Sequence, residues 1–218
     1  MAVIYIIIYS LYGHIKALAE EIQKGIEASG TGSTAKIFQV PETLSPEIIA
    51  KMHGASFDLP IISPSELKNA DGFLFGIPTR FGNMPAEMKA FFDSTGQEWV
   101  AGSLRDKFAG TFFATGTQHG GQETTAYTAI TWFVHHAINY VPLGYTADEL
   151  RDNTEIVGGG PWATSMNNNT NNNNNVITTN STSNFVGPST TSRGLITEEN
   201  KSEKKKRSMK AWFCCGCI

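Results

Sequence analysis

The sequence predicts an α/β fold: a doubly wound, five-stranded parallel sheet with helices on both faces. Short β-rich runs alternate with stretches of helical periodicity from residue 2 to about residue 142. The runs Ala2–Tyr9 and Asp71–Ile77 are nearly all apolar, as strands covered on both faces tend to be. All three cysteines, Cys214, Cys215 and Cys217, stand among the last five of 218 residues. No disulfide or structural zinc can therefore brace the body, and apolar packing must hold it.

Each element has its own signal. Ala2–Tyr9 is too short and too poor in flanking basic residues for a signal peptide, and reads as a buried strand. Ile15, Leu18, Ala19, Ile22 and Ile26 keep the spacing of one helix face, which Gly30 and Gly32 end. Thr34–Val40 is the second strand. Ser45-Pro46-Glu47 starts a helix with a capping hydroxyl, a proline in the first turn and early negative charge. Asp71–Ile77 is strand three, Pro85–Ser94 is helical and Phe108–Thr115 is strand four. Glu123–Ile138 is a helix with Ala126, Ile130, Phe133, Val134 and Ala137 on one face, and Tyr140–Pro142 is a short fifth strand.

Charge divides the chain in two. Residues 1–192 carry 10 Lys and Arg against 17 Asp and Glu, while the last 26 residues carry 7 against 3. The body is thus acidic, which argues against nucleic acid as a partner, because affinity for it rests on neutralising phosphates. The five histidines lack metal-ligand spacing, so no metal is expected. From Ile156 to Ser192 there is no charged residue, and ten of the eighteen residues from Asn167 to Asn184 are asparagine. Such a stretch cannot bury enough apolar surface to offset its ordering entropy. The chain therefore divides into a folded domain over 1–163, a disordered Asn/Ser/Thr-rich linker over 164–200 and a tail over 201–218.

In an open parallel sheet, ligands bind outside the carboxyl ends of the strands, so the loops after strands one, three and four carry the chemistry. The first, Ser10-Leu11-Tyr12-Gly13-His14-Ile15, offers a hydroxyl, a flexible glycine and the free N–H groups of a helix start, which suit a phosphate monoester. It has neither the lysine of a P-loop nor a G-x-G-x-x-G fingerprint. The second, Pro78-Thr79-Arg80-Phe81-Gly82-Asn83-Met84-Pro85, brings an aromatic ring and a guanidinium that could cover a planar heterocycle. The third, Thr115-Gly116-Thr117-Gln118-His119-Gly120-Gly121-Gln122-Glu123, leaves amides and hydroxyls free to face a ligand.

The motifs Y-S-L-Y-G-H-I, G-I-P-T-R-F-G-N-M, T-G-T-Q-H-G-G-Q-E and the later H-H followed by V-P-L-G-Y resemble the WrbA family of flavodoxin-like NAD(P)H:quinone oxidoreductases, from residue 2 to about 163. The resemblance implies a flavodoxin-like sheet with FMN in its crevice and its phosphate held by Ser10, Leu11, Tyr12, Gly13, His14 and Ile15. It implies that Pro78, Thr79, Arg80 and Phe81 meet the isoalloxazine. Ala114, Thr115, Gly116, Thr117, Gln118 and His119 would then meet the ring edge and ribityl chain. His135 would contact the flavin across a subunit interface of a dimer or tetramer, and Tyr12 and Trp99 would line the pocket for nicotinamide and quinone. The implied reaction is ping-pong: NAD(P)H delivers two electrons and leaves, and a quinone then collects them, an antioxidant chemistry without an obvious acid or base residue. After Gly160-Pro161-Trp162 the family's last strand segment and terminal helix are expected to be replaced by the asparagine tract. That departure makes a catalytically weak, flavodoxin-like organising protein the alternative.

The tail, Lys204-Lys205-Lys206-Arg207 and then Cys214-Cys215-Gly216-Cys217-Ile218, reads as a membrane anchor. Cys215–Ile218 has the form of a C-a-a-X box, Cys214 stands beside it for palmitoylation, and lipid plus polybasic charge together anchor stably. The expectation is a fungal-type member of the family on the cytoplasmic face of a membrane, the plasma membrane first, with a soluble cytoplasmic enzyme as second choice.

Overall fold

The computed structural model describes residues 1–117, 120–146, 148–151 and 159–167 of the chain. Gln118, His119, the expected linker from residue 168 on, and the basic, cysteine-bearing tail lie outside the described residues. The strands β1 (Val3–Ile8), β2 (Thr34–Gln39), β3 (Gly72–Pro78), β4 (Phe108–Thr115) and β5 (Asn139–Tyr140) form one parallel sheet in the order β2-β1-β3-β4-β5. The helices are α1 (His14–Ala28), α2 (Pro46–Lys51), α3 (Ala86–Asp93), α4 (Gly96–Ala101) and α5 (Gln122–His135), with 3₁₀ turns at Pro64–Asn69 and Asp148–Leu150. This is the doubly wound arrangement that the alternating pattern predicts, and the flavodoxin-like one that the resemblance implies. Among the described residues no helix is long and apolar enough to cross a membrane.

Strand alternation divides the core between the two faces. On β1, Ile4, Ile6 and Ile8 pack with Ile15, Leu18 and Ile26 of α1, while Tyr5 and Ile7 join the opposite cluster. That second cluster is aromatic: Phe75 meets Phe92, Trp132 and Phe133 at centroid distances of 5.3, 5.5 and 5.5 Å, and Phe92 stacks on Trp132 at 4.4 Å. Edge-to-face and offset rings of this kind add to the burial they bring.

α4 and the turn at Pro64–Asn69 both escaped the periodicity. α4 is a single short helix opened by a glycine, with no buried residue to show a pattern. The turn at Pro64–Asn69 is held by Glu66, whose carboxylate accepts from both the amide and the hydroxyl of Ser63 at 2.9 Å; the S-x-x-E pair was the available signal.

The fifth position of the sheet is filled in two pieces. β5 pairs with Phe108 and Ala109 at the base of β4, and a further strand, β6 (Thr164–Asn167), pairs with Phe112 to Thr115 at its other end. The final strand segment expected to be lost is therefore retained, and the sheet reaches four residues past the domain boundary placed at 163. Its Thr-Ser-Met-Asn sequence carries no apolar alternation to reveal it. Pairing still favours it, because the backbone groups along that half of β4 need partners.

Gly76 fixes how α1 meets the sheet. A Cβ there would lie 2.5 Å from the Phe112 ring and 2.6 Å from Ile15 Cγ2, both in fully buried side chains. Gly76→Ala is expected to destabilise the fold by about 1–3 kcal/mol through overpacking. A lower thermal midpoint checks this, and an unchanged one would show slack between α1 and β3.

Candidate active site

The sheet order reverses at β1 and β3, so the loops that leave their carboxyl ends part in opposite directions and open a crevice. Helix α1 points its N-terminus at this crevice. Its first turn begins after Gly13, whose φ of 88° only glycine adopts freely, and the first intrahelical bond runs from the Ala17 amide to Gly13 O at 2.9 Å. The amides of His14 and Ile15 precede that bond and remain available to an anion. Ser10 Oγ accepts the Lys16 amide at 3.3 Å, which holds the hydroxyl at the same end.

Not every residue expected to hold the phosphate turns its side chain there. Leu11 and Ile15 are buried in the two core clusters, so they offer main chain alone. Tyr12 is exposed at the rim, and His14 is half-buried. A wall that the sequence did not reveal comes from the segment after α2. The Ala55 amide donates to Leu11 O at 2.8 Å, and a Cβ on Gly13 would lie 3.8 Å from the Phe57 ring.

The second loop is a tight reversal. Arg80 and Asn83 exchange main-chain hydrogen bonds of 2.8 and 3.0 Å, with Phe81 at φ 52° and Gly82 at φ 77° between them. Positive φ at both central residues is the mark of a type I′ turn. Glycine suits it, whereas a bulky aromatic there is strained on the order of 1 kcal/mol, and strain of this kind clusters at functional sites. Phe81 is fully exposed at the tip of the turn, beside the crevice.

The third loop closes onto the second. Gly121 caps α5 at φ 84°, and a Cβ on it would lie 2.6 Å from Gly82 Cα, which is closer than side chains approach. The hydroxyls of Thr79 and Thr125 stand 3.2 Å apart across the same junction, and the Thr79 amide donates to Ala114 O at 2.9 Å. Thr115 Oγ1 is turned inward to Thr117 O at 2.7 Å and receives Gln122 Nε2 at 3.1 Å, so its hydroxyl serves the loop. Gly116 is open, since a Cβ there would meet nothing within 4 Å. The three loops together enclose a crevice of about 180 Å³ lined by Ser10, Tyr12, Thr79, Arg80, Ala114 and Gly116, with Pro78 in its wall.

Two expected residues stand elsewhere. His135 ends α5, thirteen residues after the crevice end of that helix, which is about 20 Å at 1.5 Å per residue. The indole Nε1 of Trp99 donates to His135 O at 2.9 Å, so Trp99 shares that remote position. Within one chain neither reaches the crevice. Both line a separate groove of about 390 Å³ between α3, α4 and α5. His136 beside them is buried, with Nε2 3.0 Å from Thr95 Oγ1, and burial holds its pKa below the usual value.

Residues 5–149 match the NADPH-dependent FMN reductase family, which is about two thirds of the chain. The chain belongs to that family. It is 53% identical over 158 residues to the NAD(P)H quinone oxidoreductase PST2 of Candida albicans, covering 72% of this chain and 78% of that one. It is 54% identical over 161 residues to the quinone-oxidoreductase QR2 of Triphysaria versicolor, covering 73% and 78%. Among solved structures, the flavodoxin-like WrbA-like protein of Agrobacterium tumefaciens shares the fold at a TM-score of 0.52 and 21% identity, over 77% of this chain and 83% of that one.

This FMN reductase relative is thus an oxidoreductase that uses FMN, with NAD(P)H as electron donor. The crevice fits a phosphorylated flavin on its own terms. Free amides at the start of α1 and the Ser10 hydroxyl match a phosphate, and the open main chain at Gly116 allows close approach.

Phe81→Asn should relieve the turn, because asparagine tolerates positive φ, and so raise the thermal midpoint of the cofactor-free protein while weakening FMN binding about three- to tenfold through the lost ring. A lower midpoint would contradict the strain assigned to Phe81. His136 generates a second expectation. The unfolded chain takes up a proton near pH 6.5 that the folded chain resists, so the stability His136 contributes is present above that pH and lost below it. The thermal midpoint should fall on acidification through this window, and His136→Gln, which can still meet Thr95, should flatten the fall.

Proposed function

We propose that this FMN reductase relative transfers two electrons from NAD(P)H to quinones in a ping-pong cycle, donor and acceptor occupying the same mouth in turn. The observation that carries the reading is the crevice itself, where Ser10 and Tyr12 beside the start of α1 share one lining with Thr79, Arg80, Ala114 and Gly116 of the other two loops. The names of relatives above 50% identity, NAD(P)H quinone oxidoreductase and quinone-oxidoreductase, support the choice of acceptor. FMN, when bound, supplies the hydride-level chemistry. The chain's part is to bind and orient. Ser10, Gly13, His14 and the amides of the α1 start would hold the phosphate, while Thr79, Arg80, Phe81 and the Ala114–Thr117 main chain would frame the ring. Tyr12 and Phe81, both exposed at the rim, offer aromatic faces to nicotinamide and quinone.

His135 and Trp99 act, in this reading, from a second copy of the chain. Trp99, which lines the groove between α3, α4 and α5, is exposed, and so is Val134 next to His135 in sequence, as an assembly surface requires. The basic, cysteine-bearing tail would hold the enzyme at the cytoplasmic face of the plasma membrane, where quinone reduction would serve an antioxidant role. One observation favours a catalytically weak organising protein instead: the asparagine tract where the terminal helix is expected.

Purified protein is expected to be yellow and to oxidise NADH or NADPH with benzoquinone. Colourless protein that binds no added FMN, or a flavoprotein without turnover, would overturn the enzymatic reading. In cells, exchange of Cys214, Cys215 and Cys217 for serine should release the protein from the membrane fraction, and unchanged partitioning would remove lipidation from the account.

A further inference from the structure

Next to the crevice lies a polar chain, buried at its two ends and exposed at Glu42 and Thr43 between them, that none of these roles uses. Tyr9, the residue before Ser10, is 6% exposed, and its hydroxyl donates to Glu42 Oε2 at 3.1 Å. The other oxygen of Glu42 accepts the amides of Thr43 and Leu44 at 2.8 and 3.0 Å. The Thr43 hydroxyl in turn donates to Glu87 Oε1 at 2.9 Å. Glu87 is also 6% exposed and stands in the first turn of α3, just after the loop that carries Arg80 and Phe81. The chain Tyr9–Glu42–Thr43–Glu87 therefore ties the phosphate loop to the ring loop.

Tying alone does not explain the carboxylate. A glutamine at 87 could accept the Thr43 hydroxyl just as well and would avoid the cost of burying a charge. Among the described residues neither Glu42 nor Glu87 forms a salt bridge. The N-terminus of α3 favours negative charge at this position, but only modestly. The Tyr9 phenol registers the local field: burial pushes its pKa above the usual range, Glu87 and Glu42 push it further, and Arg80 pulls the other way. Both carboxylates and the Arg80 guanidinium, which lines the crevice, thus act on one spot.

We propose that Glu87, together with Glu42, is a positioning residue that lowers the reduction potential of FMN held in the crevice. The two carboxylates offset the Arg80 charge that would otherwise favour the more negative, reduced cofactor. A lower potential makes the reduced cofactor a stronger donor to the acceptor. This rests on the crevice being the FMN site.

The test is a redox titration of the FMN-loaded full-length protein, paired with FMN affinity from fluorescence quenching. Removing a unit charge on the order of 10 Å away, at an effective dielectric of about 20, changes a binding ratio about tenfold. Glu87→Gln should therefore raise the preference for reduced over oxidised FMN about tenfold, which is a potential about 30 mV higher for two electrons. Glu87→Asp should keep the parent potential. Tyr9→Phe removes a hydrogen bond and no charge, and should leave the potential unmoved. An unmoved potential in Glu87→Gln, or an equal shift in Tyr9→Phe, would reduce the chain to a structural tie and overturn the proposal. Should Glu87→Gln not fold, Glu42→Gln, which removes an exposed and more screened charge, should shift the potential the same way by a smaller amount, and an unmoved potential there would overturn the proposal. A parent protein that binds no FMN would instead sink the site assignment itself.

Discussion

Two backbones meeting without side chains between them set the geometry of this site. Gly82 sits at the tip of one loop and Gly121 at the start of a helix. Their approach, within 2.6 Å of where a Cβ would stand, leaves no room for any other residue at 121. The contact couples the end of β3 to the start of α5, and hence a turn that displays an aromatic ring to a helix that spans the sheet. A similar economy appears one layer down, where Gly76 lets Ile15 and Phe112 close over the strand and bring α1 to the crevice. Position in this protein is set by where side chains are missing.

The binding surface follows from that scheme. Most of what the crevice presents is main chain: amides at a helix start, an unobstructed Gly116, carbonyls engaged by neighbouring loops. Main-chain donors are held by the sheet and cannot rotate away, which is the preorganisation that charge stabilisation needs. Side chains enter at the edges, with Phe81 and Tyr12 outside and the buried carboxylate of Glu87 behind. Orientation thus falls to the backbone, and under the proposal above electrostatic adjustment falls to groups one step removed.

How much could be seen beforehand depended on range. The strands and the two long helices were legible within a residue or three, because Ile4–Ile8, Ile15–Ile26 and Phe108–Thr115 carry period and burial in adjacent letters. The three loops were legible because the sheet topology dictates where their ends go. What was hidden is non-local. Phe57 comes to Gly13 from more than forty positions away, and Glu87 comes to Thr43 from a separation of 44. β6 is polar and short, and only an open edge of β4 calls for it. His135 is a different case: a helix of known rise puts it about 20 Å from the crevice end of α5, so the role that the resemblance implies for it would have to be played across a subunit interface, as expected.

The split outer strand has a practical corollary. β6 runs parallel to β4, with Asn167 opposite Thr115, so β6 ends at the rim where the crevice opens. Met1 enters at the other rim, ahead of β1. A bulky reporter or surface linkage attached soon after Asn167 would crowd the mouth of the crevice, whereas the same cargo ahead of Met1 would leave the entrance clear.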